Sequence, residues 1–484
     1  MKPVRVRFAP SPTGIMQVGN LRTALYDYLI AKSSGGKFIL RVEDTDQNRY
    51  VDGAMDAIYK TLRIAGLEHD EGPDVGGGYG PYVQSERKDS YMKYALELIK
   101  RGAAYYCFCS KERLAELKSE HELAGMTNLY DRRCLSLTES DVGAKLAAGE
   151  AFVIRQKMPQ TGKTVYRDAV YGEIEFDNSE LEDQILIKSD GMPTYNFANV
   201  IDDHLMDISH IVRGSEYLSS TPKYNLLYQS FGWDVPIYVH LPLIVKEGGK
   251  KLSKRDGDPS FIDLLDMGFL PEAIINYIAM LGWSPPDNRE FFTLKELAGV
   301  FSIGSISRSP AFFDIEKLKY FNAEHIRHKT DEEFHDLALP YIKKAVGCDR
   351  LDTRKIAKTL FKRTETLADI PGMIGFLETM PEYSSELYTH KKMKTDEDIA
   401  KTAFSLSLPL LRDLPQWDEA SIRDALNALA ESNAMKGSQI LWPLRVAVSG
   451  LPVTPGGAVE LLDILGRAES VRRIEAALAK LSAT

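Results

Sequence analysis

Two stretches of the chain gather the residue types that handle phosphate groups. In APSPTGIMQVGN (residues 9–20), Pro10 and Pro12 stiffen a loop, and Gly14 and Gly19 remove side chains so that backbone N–H groups can approach a ligand. Gln17 stands where the following residues turn helical, and a helix start offers its positive end to an anion. The bland alternative is a plain strand-to-helix turn, and this stretch alone does not choose between them. KEGGKKLSKRDG (residues 246–257) crowds Lys246, Lys250, Lys251, Lys254 and Arg255 among Gly248, Gly249 and Gly257. Such a cationic loop can close on phosphates and stabilise charge developing on a leaving group, although a solvated basic loop is the commoner fate of a charge run. Three cysteines, Cys107, Cys109 and Cys134, lie close together. Thiolates suit zinc, which takes four ligands; an unmetallated thiol cluster is the alternative. Asp202 and Asp203 also invite a metal, but read as part of a strand they point to opposite faces and receive no role. The glycines of GPDVGGGYGPY (residues 72–82) follow no strand and precede no G-K-[ST], so they read as a surface loop.

The elements that position these residues follow an α/β order. VRVRF (residues 4–8) reads as a strand, NLRTALYDYLIAK as a helix with Leu21, Leu25, Tyr28 and Leu29 on one face, and GGKFILRVEDTD as a strand ending in acidic residues. Strand, helix and strand predict a parallel pair with a right-handed crossover, opening a doubly wound sheet. Ligands of such sheets bind beyond the carboxyl ends of the strands, where the first loop lies. The basic loop follows the predicted strand IYVHLPLIV, so it lies at a sheet end too. Met55, Ile58, Tyr59 and Leu62 mark a second helix, and Tyr91, Tyr94, Ala95 and Leu98 a third. From about residue 103 to 190 the chain changes character, with the cysteines and the short runs AFVIRQKM and DQILIKS, and reads as an insertion. After residue 330 the strand signal nearly vanishes: TDEEFHDLALPYIKKAV, SIRDALNALAESN and AVELLDILGRAESVRRIEAALAKL are helical by period.

At 484 residues the chain exceeds one core and predicts about three domains. Its 44% hydrophobic and 27% charged residues suit a folded soluble protein, and no apolar run is long enough to span a bilayer. The start, MKPVRVRFAPSP, lacks the apolar stretch of a secretory signal. A net charge of -9 argues against bulk attraction to nucleic acid, yet leaves room for a locally basic groove. Four cysteines in so long a chain form no disulfide framework and predict a reducing cytoplasm.

Taken together, SPTGIMQVGN and KLSKR resemble the two signature motifs of class I aminoacyl-tRNA synthetases. The wording around them, RFAPSPTG, RVEDTD, HDEGPDVGG and KSDGMPTYNFANVIDDHLM, resembles the bacterial glutamyl-tRNA synthetases, densely up to about residue 325 and more loosely beyond, best at GSQILWPLRVAVSG. The resemblance implies an α/β Rossmann-type catalytic domain with an α+β acceptor-binding insertion, followed by an all-α anticodon-binding region. By residue, it implies a Rossmann catalytic domain in two halves (1–89 and 193–235) around an acceptor-stem-binding insertion (90–192). A stem-contact domain with the KLSKR loop (236–327), a helical domain (328–376) and a helical anticodon-binding domain (377–484) follow.

The implied reaction activates L-glutamate with ATP and Mg²⁺ to glutamyl-adenylate and transfers it to the 3′ end of tRNA(Glu), with tRNA required for activation. No covalent enzyme intermediate is expected, so positioning and electrostatics carry the catalysis. The resemblance assigns Lys254, Gln17 and Asn20 to catalysis, and Pro10, Ser11, Gly14, Gln17, Gly19, Asn20, Lys251, Leu252, Ser253, Lys254 and Arg255 to ATP. It assigns Arg7, Ala9, Ser11, Glu43, Tyr195, Asn199 and Arg213 to glutamate, the arginines suiting its second carboxylate. Read without it, Arg7 is a strand-edge cation and Arg213 an ion-pair partner of Glu216. Arg363 and Arg445 fall where the family contacts the anticodon, and Cys107, Cys109, Tyr130 and Cys134 where some members hold a structural Zn²⁺. Other members have a histidine two residues after the last cysteine, where this chain has Ser136. The expected protein is a cytoplasmic monomer. Its rivals are a tRNA-binding paralogue impaired by Gln17, where the signature usually has histidine, a form that also charges tRNA(Gln), and a shortened paralogue that glutamylates a modified tRNA base.

Overall fold

The first strand, β1 (Arg5–Phe8), is buried along its whole length, as a central strand covered on both faces must be. It pairs in parallel with β2 (Lys37–Leu40), Arg7 standing opposite Ile39, and the Val18–Ser33 helix makes the crossover. The computed structural model describes residues 3–125, 130–252, 257–347 and 350–482. The chain divides into two compact units, Met1–Ile262 with Ile275–Asp314, and Asp263–Ile274 with Ile315–Thr484.

In the first unit two strands of the intervening segment, β3 (Ala104–Cys107) and β4 (Val153–Gln156), form an antiparallel sheet with β7 (Ile185–Ile187). The hairpin β5 (Lys163–Asp168) and β6 (Gly172–Asp177) lies between them in sequence yet joins the main sheet. With β8 (His210–Gly214) and β9 (Ile237–Leu241) the main sheet has the order β2-β1-β8-β9-β5-β6, parallel except for the hairpin. The insertion expected over residues 90–192 is therefore not a separate body. Tyr91, Leu98, Ile154, Leu186, Phe197 and Leu227 share one apolar cluster, so its boundaries cut through a common core.

Two local readings also change. Asp202 and Asp203 lie in the Tyr195–Leu205 helix, not in a strand, and both are fully buried. Its apolar run is long enough for either period, and the burial of nearly every residue hides the helical face. The Val18–Ser33 helix buries Tyr26 and Arg22 as well as the expected leucines. It is covered on a second side, where Tyr26 Oη donates to the carbonyls of Ala279 (3.0 Å) and Leu281 (3.1 Å).

The second unit is helical throughout its described residues. Leu270 and Ala273, contributed by the early segment, share a core with Phe334, Ile374, Phe404 and Leu444. Residues 236–327 thus fall into both units, and the division expected at 376 runs through that single core. Among the described residues no helix is long and apolar enough to cross a membrane.

Candidate active site

Backbone hydrogen bonds stitch the first loop to the end of β2: Arg41 N donates to Phe8 O (3.0 Å) and Glu43 N to Pro10 O (3.0 Å). Gly14 turns the loop at φ +123°, a conformation that side chains rarely adopt. Beyond the carboxyl ends of β1 and β8 lies a cavity of about 450 Å³. Arg7, Ala9, Pro10, Ser11, Gln17, Gly19 and Asn20 line it from the N-terminal side, Tyr195 and Arg213 from the middle, and Lys251 and Leu252 from the second loop. Ser253, Lys254 and Arg255 lie outside the described residues. Gln17 is the N-cap residue of the Val18–Ser33 helix, yet its side chain makes no capping bond and stays free for the cavity. Glu43 faces a larger cavity of about 1100 Å³ that shares Ser11, Tyr195 and Tyr217 with the first. Asn199 lines neither; it is buried, and its Nδ2 donates to Tyr195 O at 2.9 Å.

The arginines of this region differ in how fully they are bound. Arg7 Nε donates to Asp203 Oδ1 at 2.8 Å and its Nη2 to Oδ2 at 3.3 Å. Arg41 Nη1 reaches the same Oδ1 at 2.7 Å, and its Nη2 reaches Glu43 Oε1 at 2.8 Å. Arg213 is 5% exposed, and none of its three guanidinium nitrogens has a hydrogen-bond partner among the described residues. It stacks against Tyr224 (4.8 Å) and Tyr217 (5.6 Å), and the ion pair with Glu216 does not form: Glu216 takes Lys251 at 2.7 Å. Of these three buried guanidinium groups, Arg7 and Arg41 are bound to the carboxylates of Asp203 and Glu43, whereas Arg213 is bound to none among the described residues. Burial pushes the Asp203 carboxyl up, but Arg41 and Arg7 outweigh it and hold it below its ordinary value. Glu43 stays raised by burial despite Arg41 and Arg7. Asp27 is fully buried, neither of its oxygens has a hydrogen-bond partner among the described residues, and burial raises its carboxyl well above its ordinary range.

Sequence reading did not place three charged residues that line the smaller cavity there: Arg22, Arg49 and Glu216. Arg22 is held by the carbonyls of Leu281 (3.0 Å) and Pro242, and no carboxylate hydrogen-bonds to it among the described residues. Mid-helix arginines are ordinarily solvated, so its type and position gave no signal.

At the end of β3, Cys107, Cys109 and Cys134 bring their sulfurs within 4.8 Å of one another. Tyr130 Oη is 3.3 Å from the sulfurs of Cys107 and Cys109, and Cys109 is 3.6 Å from Cys134. A tetrahedral zinc site with these ligand types has edges of roughly 3.3–3.8 Å, a range that these three distances meet. Ser136 is exposed and donates to Arg133 O, away from the cluster. In the helical unit, Arg445 lies 4.3 Å over Trp442 and donates to Pro452 O at 2.7 Å. Burial and the nearby charge of Arg363 lower its pKa, so the two arginines share one neighbourhood.

Residues 3–320 match the family described as class I tRNA synthetases (E and Q), catalytic domain, and residues 333–478 match an anticodon binding domain. The glutamate–tRNA ligase of Clostridium botulinum (strain Loch Maree / Type A3) is 55% identical over 480 residues, 99% of each chain. That of Clostridium tetani (strain Massachusetts / E88) is 54% identical over 478 residues, 99% of this chain and 98% of the relative. A crystal structure of a glutamate tRNA ligase from Elizabethkingia meningosepticum in complex with its amino acid superposes with a TM-score of 0.90 at 36% identity, covering 99% of this chain and 100% of the other.

Proposed function

The chain belongs to the glutamate–tRNA ligases of the class I tRNA synthetases, and from that premise we propose how its residues divide the reaction. The α-carboxylate of glutamate attacks the α-phosphate of ATP and expels pyrophosphate. The 3′-terminal adenosine of tRNA(Glu) then takes the glutamyl group and AMP leaves. The observation that carries the assignment is the buried guanidinium of Arg213, which has no hydrogen-bond partner among the described residues. Glutamate carries two carboxylates and one ammonium, so it brings one net negative charge. Its side-chain carboxylate pairs with Arg213, with Arg7 alongside, while Tyr195 supplies a neutral hydrogen bond and Asn199 holds the Tyr195 backbone from behind the pocket. The ammonium goes to Glu43 and Ser11, against the backbone at Ala9. Glutamine would leave Arg213 buried and unpaired, a cost of about 3–5 kcal/mol.

ATP, with its Mg²⁺, takes the end of the cavity lined by Pro10, Ser11, Gln17, Gly19, Asn20, Lys251 and Leu252, and family resemblance adds Gly14, Ser253, Lys254 and Arg255 to its ligands. Arg22 adds a fixed positive charge there. The phosphates meet a helix start and cations already in place, so charge that develops on pyrophosphate is stabilised without reorganisation. The larger cavity admits the tRNA acceptor end, and Arg363 and Arg445 contact the anticodon. Cys107, Cys109, Tyr130 and Cys134 would hold a zinc ion whose role is to fix the β3 end. The anticodon-binding half separates this chain from the shortened paralogue. We read the enzyme as a cytoplasmic monomer strict for tRNA(Glu). ATP–pyrophosphate exchange tests the scheme: exchange should need both glutamate and tRNA, and glutamine should support it at least a hundredfold less well, about 2.7 kcal/mol. Full-rate exchange without tRNA overturns the tRNA requirement, and equal exchange with glutamine overturns the role of Arg213.

A further inference from the structure

Arg41 is 0% exposed, lines neither cavity, and binds two carboxylates at once. Its Nη2 and Nε converge on the single oxygen Glu43 Oε1, at 2.8 and 3.3 Å, while Nη1 takes Asp203 Oδ1 at 2.7 Å. Glu43 Oε2 is left buried and without a partner among the described residues, on a side chain that lines the larger cavity. Arg41 and Glu43 are two residues apart in an extended segment, so their side chains share a face. A contact between such near neighbours joins no two elements of the fold. The segment is in any case tied to the first loop by the Glu43–Pro10 backbone bond. What the contact does is fix which oxygen of Glu43 is committed and which is presented.

We propose that Arg41 is a positioning residue for glutamate recognition: it anchors one oxygen of Glu43 and so aims the other at the substrate ammonium, sharing Asp203 with Arg7. The inference rests on the reading of Glu43 as the ammonium-binding group.

The test is a double-mutant cycle on the full chain, with KM for glutamate and for ATP measured by tRNA charging in wild type, Arg41→Gln, Glu43→Gln and the double variant. Arg41→Gln should raise KM for glutamate about tenfold or more and leave KM for ATP within about twofold. The double variant should match Glu43→Gln alone, because a residue that acts only through Glu43 has nothing further to lose. Multiplying effects, an unchanged KM for glutamate in Arg41→Gln, or an equal rise for ATP overturns the proposal. Should Arg41→Gln fail to fold, Arg41→Lys carries the cycle: it retains the buried charge but cannot bridge both carboxylates, and should recover only part of the wild-type KM. An unchanged KM in Glu43→Gln itself overturns the reading of Glu43 and the proposal with it. A raised KM there with normal Arg41 variants overturns the proposal alone.

Discussion

Gln17 stands where the family signature usually carries a histidine, and its surroundings decide how much that difference matters. Its side chain is uncommitted at the start of the Val18–Ser33 helix and lines the cavity assigned to ATP. An amide N–H donates to a phosphate oxygen much as an imidazole N–H does, but it brings no positive charge. The difference between a neutral and a charge-assisted hydrogen bond is about 1 kcal/mol, less than tenfold in rate. Arg22 faces the same cavity and supplies a charge that does not titrate near neutrality. The wild-type enzyme is therefore expected to be active, with Gln17→His changing adenylate formation by less than about tenfold and Gln17→Ala lowering it further. Wild-type inactivity with recovery in Gln17→His would instead mark the chain as a silenced paralogue. The same cavity shows what the sequence could and could not disclose about single residues. Arg7 and Arg213 were both expected in the pocket, but only the structure separates Arg7, held by Asp203, from Arg213, whose guanidinium has no hydrogen-bond partner among the described residues. That distinction depends on Asp203 lying on a helix far along the chain, which no local spacing encodes.

Among the elements, β1, the following helix and β2 were legible because each is short, periodic and bounded by glycine or proline. The β5–β6 hairpin was not. β5 alternates exposed and buried residues and β6 half-buried and exposed ones, like any hairpin, and only the Asp168–Tyr238 pairing assigns them to the main sheet. His240 reinforces that junction, its Nδ1 lying 2.7 Å from Asp168 Oδ2. The cysteine turn was legible as a cluster, since Cys107 and Cys109 bracket one residue at a strand end. Its fourth member, Tyr130, came only from family resemblance, and the geometry fits it. Protein purified without chelator should carry about one equivalent of zinc, and Cys134→Ser should abolish it. The variant should also lose thermal stability and bind tRNA less tightly, with KM for glutamate little altered, because the cluster lies on the three-stranded sheet and not among the glutamate-binding residues. Metal analysis that finds no zinc favours the free-thiol reading.

At the scale of the whole chain, the two units are interleaved in sequence. Residues Asp263–Ile274 belong with the helical unit although they lie between two parts of the first, so the polypeptide passes between units after Ile262, Ile274 and Asp314. The last strand among the described residues ends at Phe312 and the helical unit resumes at Ile315, whereas sequence periodicity placed the change of character near residue 330. A cut there removes Phe334, Ile374, Phe404 and Leu444, the core in which Leu270 and Ala273 are buried. Exposing the five side-chain carbons of those two residues costs about 4 kcal/mol at about 0.8 kcal/mol per buried CH₂. Truncation after residue 330 is thus expected to lower the melting temperature as well as to end efficient charging, while glutamate and ATP still bind. To separate lost stability from lost recognition, Arg363→Gln in the full chain is the sharper variant, because Arg363 is exposed. It should raise KM for tRNA(Glu) several-fold, with the melting temperature and KM for glutamate unchanged. Normal charging by the truncated protein, or an unmoved KM for tRNA in Arg363→Gln, would show that the helical unit does not read the anticodon through this face.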